Sequence, residues 1–66
     1  MKFRAVRDIQ GLITSGRTYF GTLVMEPELK GNGSHLEIKT ALRIAVFNDQ
    51  GYWRDYHPSN FVPTDA

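Results

Sequence analysis

The segment from Tyr52 to His57 is the densest group of aromatic and cationic side chains in the sequence. If it forms a β-strand, successive side chains point to opposite faces, so Tyr52, Arg54 and Tyr56 share one face and Trp53 lies on the other. Tyrosine, tryptophan and arginine dominate protein interfaces, and aromatic rings also stack on unpaired bases. We therefore predict a partner-binding surface formed by Tyr52, Trp53, Arg54, Tyr56 and His57.

The same side chains have a structural interpretation that competes with this one. A small domain needs bulky aromatic residues in its core, and Trp53 is the obvious side chain to fill it. Tyr52 and Tyr56 would then be exposed on the opposite face, with Arg54 between them. His57 precedes a proline, which biases the histidine backbone toward an extended conformation, and this role competes with a pH-sensitive contact.

A second candidate surface is basic. Arg4, Arg7 and Arg17 lie with Lys2 in the first quarter of the chain, and they would share a surface if the first two strands are neighbours. This pattern suggests nucleic-acid binding. However, the whole chain carries eight Lys and Arg against seven Asp and Glu, and such binding needs several uncompensated cations. Ordinary solubilising charge is the competing interpretation, so nucleic acid is the alternative partner.

The sequence contains no pattern that predicts catalysis, a metal site or a cofactor. It has no cysteine, and its two histidines, His35 and His57, lack the spacing typical of metal ligands. No Ser-His-Asp motif and no phosphate-binding glycine loop occurs. We expect a non-enzymatic protein without a cofactor.

The elements that position these residues belong to a very small fold. The chain has 66 residues, so we expect a single domain over residues 1–66. Short runs of β-branched and aromatic residues alternate with Gly, Pro, Asn and Asp, which is typical of strands joined by turns. No apolar run has the length of a signal peptide or a membrane span, so we expect a cytoplasmic protein without a membrane partner.

Five strands and three special positions are predicted. The strands cover Phe3–Asp8, Arg17–Met25, His35–Phe47, Tyr52–Tyr56 and Phe61–Val62. Gly16 and Gly51 are expected to adopt positive φ in turns, and Gly21 marks a bulge or a bend in the second strand. Pro58–Asn60 is predicted as a 3₁₀ turn before the last strand.

Two segments leave alternatives open. Glu26–Ser34 contains a proline and a Gly-Asn-Gly-Ser cluster, which predicts a mobile loop. The third apolar stretch is either one long bent strand or two strands divided at Thr40, with Leu36 and Ile38 inward. A helix over residues 36–46 is the rival interpretation.

Two stretches of the sequence are similar to small phage and bacterial SH3-like proteins. Leu12–Tyr19 contains a leucine, a glycine, a basic residue and a tyrosine in the order found in those proteins. Asn48–Gly51, followed by the aromatic pair Tyr52 and Trp53, resembles their hairpin. The resemblance implies an all-β, five-stranded SH3-like barrel.

A third stretch, Pro58–Val62, resembles an element of eukaryotic signalling SH3 domains that helps to form a groove for proline-rich ligands. The paired tryptophans of that groove are missing here, because Leu42–Ile44 occupies their region, and the acidic loop cluster is missing as well. We therefore expect the fold without this ligand.

The resemblance to phage proteins implies an accessory module that binds and modulates a host protein in the cytoplasm of the host cell. The alternative is a nucleic-acid-binding SH3-like barrel that uses Arg4, Arg7 and Arg17. A third interpretation is a self-assembling homodimer, because small barrels expose sheet edges that can pair between chains.

Overall fold

The computed structural model of the protein describes residues 1–33 and 35–64, and over these residues the fold is all-β. The elements are β1 (Lys2–Ala5), β2 (Thr18–Asn32), β3 (His35–Phe47), β4 (Trp53–Tyr56), a 3₁₀ turn (Pro58–Asn60) and β5 (Phe61–Thr64). The predicted all-β class and the 3₁₀ turn before the last strand are confirmed. Within the described residues, no helix has the length and apolar character needed to cross a membrane.

The strands form one antiparallel sheet in the order β4-β3-β2-β1-β5. The edge strands β4 and β5 are not hydrogen-bonded neighbours, so the sheet is not closed into a barrel. Only His57 and the 3₁₀ turn separate these two strands in the sequence. The sheet is therefore curled, and the rings of Tyr56 on β4 and Phe61 on β5 lie 6.0 Å apart across its concave side.

The core lies on this concave inner face, with Phe61 at its centre. The Phe61 ring makes edge contacts with Phe3, Tyr19 and Tyr56, with ring centroids 6.0–6.3 Å apart. The buried apolar residues are Phe3, Ala5, Ile13, Tyr19, Ile44, Val46, Tyr56 and Phe61. A Cβ atom on Gly21 would lie 2.7 Å from the Ala45 carbonyl oxygen, so the close approach of β2 to β3 and the core requires glycine there.

The segment Glu26–Ser34, predicted as a loop, is mostly strand, which corrects the prediction. β2 continues to Asn32 and pairs with β3 from Gly21↔Val46 out to Asn32↔His35. Apolar residues keep the strand period through the segment, so the pairing outweighs the proline. The glycine cluster instead forms the hairpin turn, with Gly33 at φ 63°; Ser34 lies outside the described residues.

The outer part of this hairpin, residues 24–33 and 35–43, is a two-stranded arm. The β1 strand pairs with β2 only as far as Phe20, and β4 pairs with β3 only from Ile44 onward. The molecule is accordingly elongated, with extents of 46 × 25 × 19 Å. The eight apolar residues that are buried within the described chain therefore lie at one end of it, away from the arm.

The remaining predictions on elements are mostly confirmed. The β3 strand is continuous through Thr40, so the two-strand and helix alternatives are wrong. Gly16 and Gly51 have φ of 86° and 83°, as expected for the turns. The β1 strand is shorter than predicted and ends at Ala5, and the N–H of the next residue, Val6, donates to Asn60 O at 2.9 Å. The β5 strand runs through Pro63, which an edge strand tolerates.

Candidate protein-binding surface

Three aromatic side chains form a row across the convex outer face of the sheet. Lys2 on β1 pairs with Phe20 on β2, and Phe47 on β3 pairs with Trp53 on β4. Because Gly21 pairs with Val46, the preceding Phe20 and the following Phe47 are neighbours across β2 and β3. We call Phe20, Phe47 and Trp53 the aromatic row.

The aromatic row is exposed to solvent. Phe20 is 66 % exposed, Phe47 47 % and Trp53 58 %. The Phe47 and Trp53 rings are 5.9 Å apart between centroids, and Lys2 Nζ lies 5.5 Å from the centre of the Phe20 ring. A contiguous apolar group of this kind, on a face that does not carry the core, is typical of an interaction site.

The buried side chain of Asn48 fixes the hairpin turn that joins two members of the row. Its Oδ1 accepts hydrogen bonds from the N–H groups of Gln50 and Tyr52, at 3.1 and 3.3 Å. Its Nδ2 donates to the buried Tyr56 hydroxyl at 3.1 Å. Phe47 and Trp53, which flank the turn, are therefore held on rigid backbone.

Asp49 ties the same turn to the rest of the molecule. Its carboxylate accepts from the Thr14 hydroxyl and from the Tyr19 hydroxyl, both at 2.8 Å, and Arg17 Nη1 lies 3.1 Å away. The hydrogen bonds from Thr14 and Tyr19, with the Arg17 charge added, hold the pKa of Asp49 below its ordinary value. Burial, followed by the bond to Asp49, raises the pKa of the Tyr19 phenol.

The Phe20 ring stands between two shallow concavities. One, of about 280 Å³, is lined by Phe20, Phe47 and Asp49 among others. The other, of about 410 Å³, is lined by Lys2, Thr18, Tyr19 and Phe20. Each is large enough to receive a partner's side chain beside an exposed aromatic ring, although neither encloses a small molecule as an active site does.

A charged cluster of Glu26, Arg43 and Asp55 lies on the outer face beside the aromatic row. Arg43 Nε is 3.3 Å from Asp55 Oδ2. A hydrogen bond with Glu26, followed by the Arg43 charge, lowers the pKa of Asp55, and the same bond raises the pKa of Glu26. The two carboxyl groups therefore influence each other's pKa, and Arg43 is the cation between them and the rest of the outer face.

Two expectations about the aromatic segment are wrong. Trp53, which the structural interpretation placed in the core, is exposed, and Tyr56, expected on the surface, is 5 % exposed. The register explains both, because Tyr56 pairs with the core residue Ile44 while Trp53 pairs with Phe47. The alternation was predicted, but the inward side was reversed, so Tyr56 is not available to a partner.

The other predicted partner-binding residues have different positions. Tyr52 is 43 % exposed just before β4, and Arg54 is exposed on β4, where it pairs with Val46. His57 is exposed and caps the 3₁₀ turn, because its Nδ1 accepts from the Ser59 N–H at 3.1 Å. The His57 backbone is extended, with φ −60° and ψ 138°, as expected for a residue that precedes a proline, whereas the capping contact was not predicted.

The predicted basic group is spread over the first part of the molecule. Arg4 is exposed on β1 with Lys2, on the outer face beside Phe20. Arg7 is exposed after β1. Arg17 forms an ion pair with Asp49, and its Cζ atom lies 5.9 Å from the centroid of the Tyr19 ring. Lys2 and Arg4 are therefore the cations at the β1 end of the aromatic row, and Arg17 lines the concavity beside Phe20 and Phe47.

Phe20 and Phe47 were not singled out from the sequence, although a signal for them existed. Strand alternation separates Phe20 from Tyr19, and it separates Phe47 from Leu42, Ile44 and Val46. A large aromatic ring on the polar side of a strand is the exception that marks a binding surface, and each phenylalanine has that position.

Comparison with known proteins adds no relationship: no family model, no curated protein and no solved structure matches the chain. Within residues 1–33 and 35–64, no group of three or more His, Asp or Glu side chains is arranged to hold a metal ion.

Proposed function

We propose that this chain is a protein-binding module and that the aromatic row is its contact surface. The observation that carries the proposal is the exposure of Phe20, Phe47 and Trp53 side by side on three adjacent strands. Rigid aromatic side chains lose little conformational entropy on binding and dominate the energetics of interfaces. The Asn48 and Asp49 hydrogen bonds hold the row in place before a partner arrives.

The chemistry around the row supports a protein segment with apolar and acidic side chains as the partner. Lys2 and Arg4 lie at the β1 end of the row, where they would attract carboxylates. The formal net charge of the whole chain is +1, which favours a mixed protein surface over a polyanion. By the resemblance of Leu12–Tyr19 and Asn48–Gly51, the module is a variant of the SH3-like barrel, and a host protein is the expected partner.

Single-stranded nucleic acid is the alternative partner. Lys2 above the Phe20 ring, with Arg4 on the same face, is an arrangement that can hold a phosphate next to a stacked base. Binding of this kind weakens steeply with salt, whereas apolar protein contacts do not.

A selection from a library of displayed random peptides tests the proposal. We expect enriched peptides to combine aromatic or aliphatic residues with Asp or Glu. Trp53 is the only tryptophan, so its fluorescence reports binding directly in the wild-type chain and in Phe20→Ala. Phe20→Ala should raise the dissociation constant by about tenfold or more, as removal of a central aromatic contact does.

The matched control is Thr22→Ala, which changes an exposed residue on the same strand and the same face. Its affinity should equal that of the wild type. Equal loss in both variants, or no enrichment of peptides, contradicts the proposal. Tight binding of an oligothymidylate that falls steeply between low and moderate salt would replace it with the nucleic-acid function.

A further inference from the structure

The inner face of the arm is an apolar strip that continues outward from the core. The register pairs each odd-numbered residue of β2 with an even-numbered residue of β3, and both residues of such a pair point to the inner face of the sheet. The strip consists of Leu23, which lies just before the arm, and of Met25, Leu29, Leu36, Ile38 and Leu42 on the arm itself, and these six side chains are 43–77 % exposed. Pro27, Gly31 and Thr40 complete this face, so within the described residues of the arm it has no charged side chain.

The outer face of the arm has the opposite character. Glu28 pairs directly with Lys39, and Lys30 pairs with Glu37, so opposite charges face each other across the two strands. An arm surrounded by water would need polar residues on both faces. Alternation between an apolar and a charged face is instead typical of a sheet with one side covered.

The arm also lacks the support that a hairpin of its length requires. A two-stranded hairpin alone in water is marginally stable at best, and it needs a third strand or a packed face. No further strand of the described chain pairs with residues 24–32 or 36–43, and none of residues 24–31 and 36–43 is buried. A covering surface on the apolar strip would supply the missing packing.

The free edge of β2 is protected against pairing with another strand. The Gly21 N–H points away from β3, since it donates to Met1 O at 2.9 Å. Every second residue of a strand points the same way, so the nitrogen of Pro27 faces the free edge and has no hydrogen to donate. Edge strands are commonly protected by such prolines, so association of the arm by strand pairing along β2 is disfavoured.

We propose that the apolar strip is a homodimer interface, covered by the same strip of a second copy of this chain. An uncharged strip needs an uncharged counterpart of equal length, and the chain itself supplies one. With on the order of 100 Å² exposed on each of the six side chains, two copies would bury about 1,200 Å², which reaches the range of stable specific interfaces.

A twofold axis near the Pro27–Thr40 pair satisfies the geometry. Apolar pairs lie on both sides of this pair, with Met25↔Leu42 toward the core and Leu29↔Ile38 toward the turn. In an antiparallel face-to-face arrangement, Leu29 and Ile38 of one copy cover Met25 and Leu42 of the other. The two sheets would stack about 10 Å apart, as in a β-sandwich. The aromatic rows stay uncovered on the outside.

Sedimentation equilibrium over a hundredfold concentration range tests the dimer. The wild-type chain should shift from its monomer mass of 7.5 kDa toward twice that value as its concentration rises. The double variant Leu29→Gln, Ile38→Gln should remain monomeric or dissociate about tenfold more readily. These side chains are 70 % and 73 % exposed in the monomer, so far-UV circular dichroism should show an unchanged fold.

The matched control is Glu28→Gln, Lys39→Gln, which alters the adjacent cross-strand pair on the outer face. It should dimerise like the wild type. Dimerisation that persists in Leu29→Gln, Ile38→Gln overturns the proposal, and so does a wild-type chain that is monomeric at every concentration. Neither result bears on the aromatic row, which lies on the other face of the sheet.

A crosslink tests the orientation, because the chain has no native cysteine. Thr40→Cys places one thiol near the proposed axis, and a bismaleimide with a spacer of about 10 Å should join two copies. Lys39→Cys, one residue away on the outer face, should give no crosslinked dimer. Equal crosslinking of both variants overturns the face-to-face arrangement.

Discussion

Asp49 is the residue on which the position of the candidate surface depends most. Its carboxylate joins Thr14, Tyr19 and Arg17, which come from the loop after β1 and from the start of β2. Its backbone N–H also donates to Leu12 O at 2.8 Å. One side chain therefore connects the turn that carries the aromatic row to the segments on its other side.

We predict that Asp49→Asn weakens the acid dependence of stability. The folded state lowers the pKa of Asp49, so its stabilisation is present above the ordinary aspartate pKa, about 3.9, and is lost as pH falls through the lower folded value. Urea unfolding between about pH 5 and pH 2 should show a smaller decline for Asp49→Asn than for the wild type.

Glu26 affects the pH dependence of stability in the opposite direction, so its effect has to be distinguished from that of Asp49. Its pKa is raised in the folded state, so its stabilisation is present at low pH and is lost as pH rises through the folded value. The informative quantity is thus the difference between wild type and Asp49→Asn at each pH. Glu37→Gln, on the arm far from the network, is the control for removal of one carboxylate, and identical curves for all three chains would contradict the prediction.

At the scale of the element, β2 has two glycines with opposite requirements. A Cβ at Gly21 would lie 2.7 Å from Ala45 O and 2.8 Å from Phe3 Cδ2, whereas a Cβ at Gly31 meets nothing within 4 Å. Neither residue has a positive φ. The difference between them is therefore one of space.

We predict that Gly21→Ala lowers the free energy of unfolding by about 1–3 kcal/mol, as overpacking of a core does. Gly31→Ala, its control on the same strand, should change that free energy by about 0.5 kcal/mol or less, or stabilise slightly. Urea unfolding followed by Trp53 fluorescence measures both. Equal effects would show that the loss of glycine, and not the contact at Gly21, is responsible.

The sequence predicted the identity of most elements because local signals determine them. Gly16, Gly51 and Pro58–Asn60 mark their turns through backbone chemistry alone. The length of β2 was missed because Pro27 and the glycine cluster are strong local signals for a break, whereas the pairing that overrides them comes from β3. Local preference and non-local pairing conflict in this segment, and pairing dominates.

The candidate site was only half predictable for a similar reason. Alternation fixes which residues of Tyr52–Tyr56 share a face, but the side that turns inward depends on register with β3. Pairing of Ile44 with Tyr56 buries the tyrosine, and a shift by one residue would bury Trp53 instead. The barrel that the resemblance implied would also require hydrogen bonds between β4 and β5, which are instead the two edges of the sheet.

At the scale of the whole molecule, the core and the arm are separate in space. Among the residues that the structure describes, the eight buried apolar ones lie outside the arm. The arm therefore contributes little to the packing that keeps the monomer folded, and its apolar strip remains exposed in the monomer.

We predict that the arm can be shortened without unfolding the core. Residues 27–40 would be replaced by an Asn-Gly turn that joins Glu26 to Ala41, which are paired across the hairpin. The shortened chain should keep a cooperative urea transition, monitored by Trp53 fluorescence, and it should be monomeric. A non-cooperative transition would show that the arm is part of the folding unit.

The pairing of β1 with β5 has a consequence for how the molecule folds. Lys2 lies opposite Thr64, so this ladder joins residues from the two extremes of the sequence, whereas the β2–β3 hairpin closes locally. Hairpins form within microseconds, but closing a long loop costs entropy before any contact compensates for it. The last strand should therefore dock late, and Phe61→Leu should accelerate unfolding in stopped-flow measurements far more than it slows refolding. A folding rate that falls as much as the unfolding rate rises would place Phe61 in the nucleus instead.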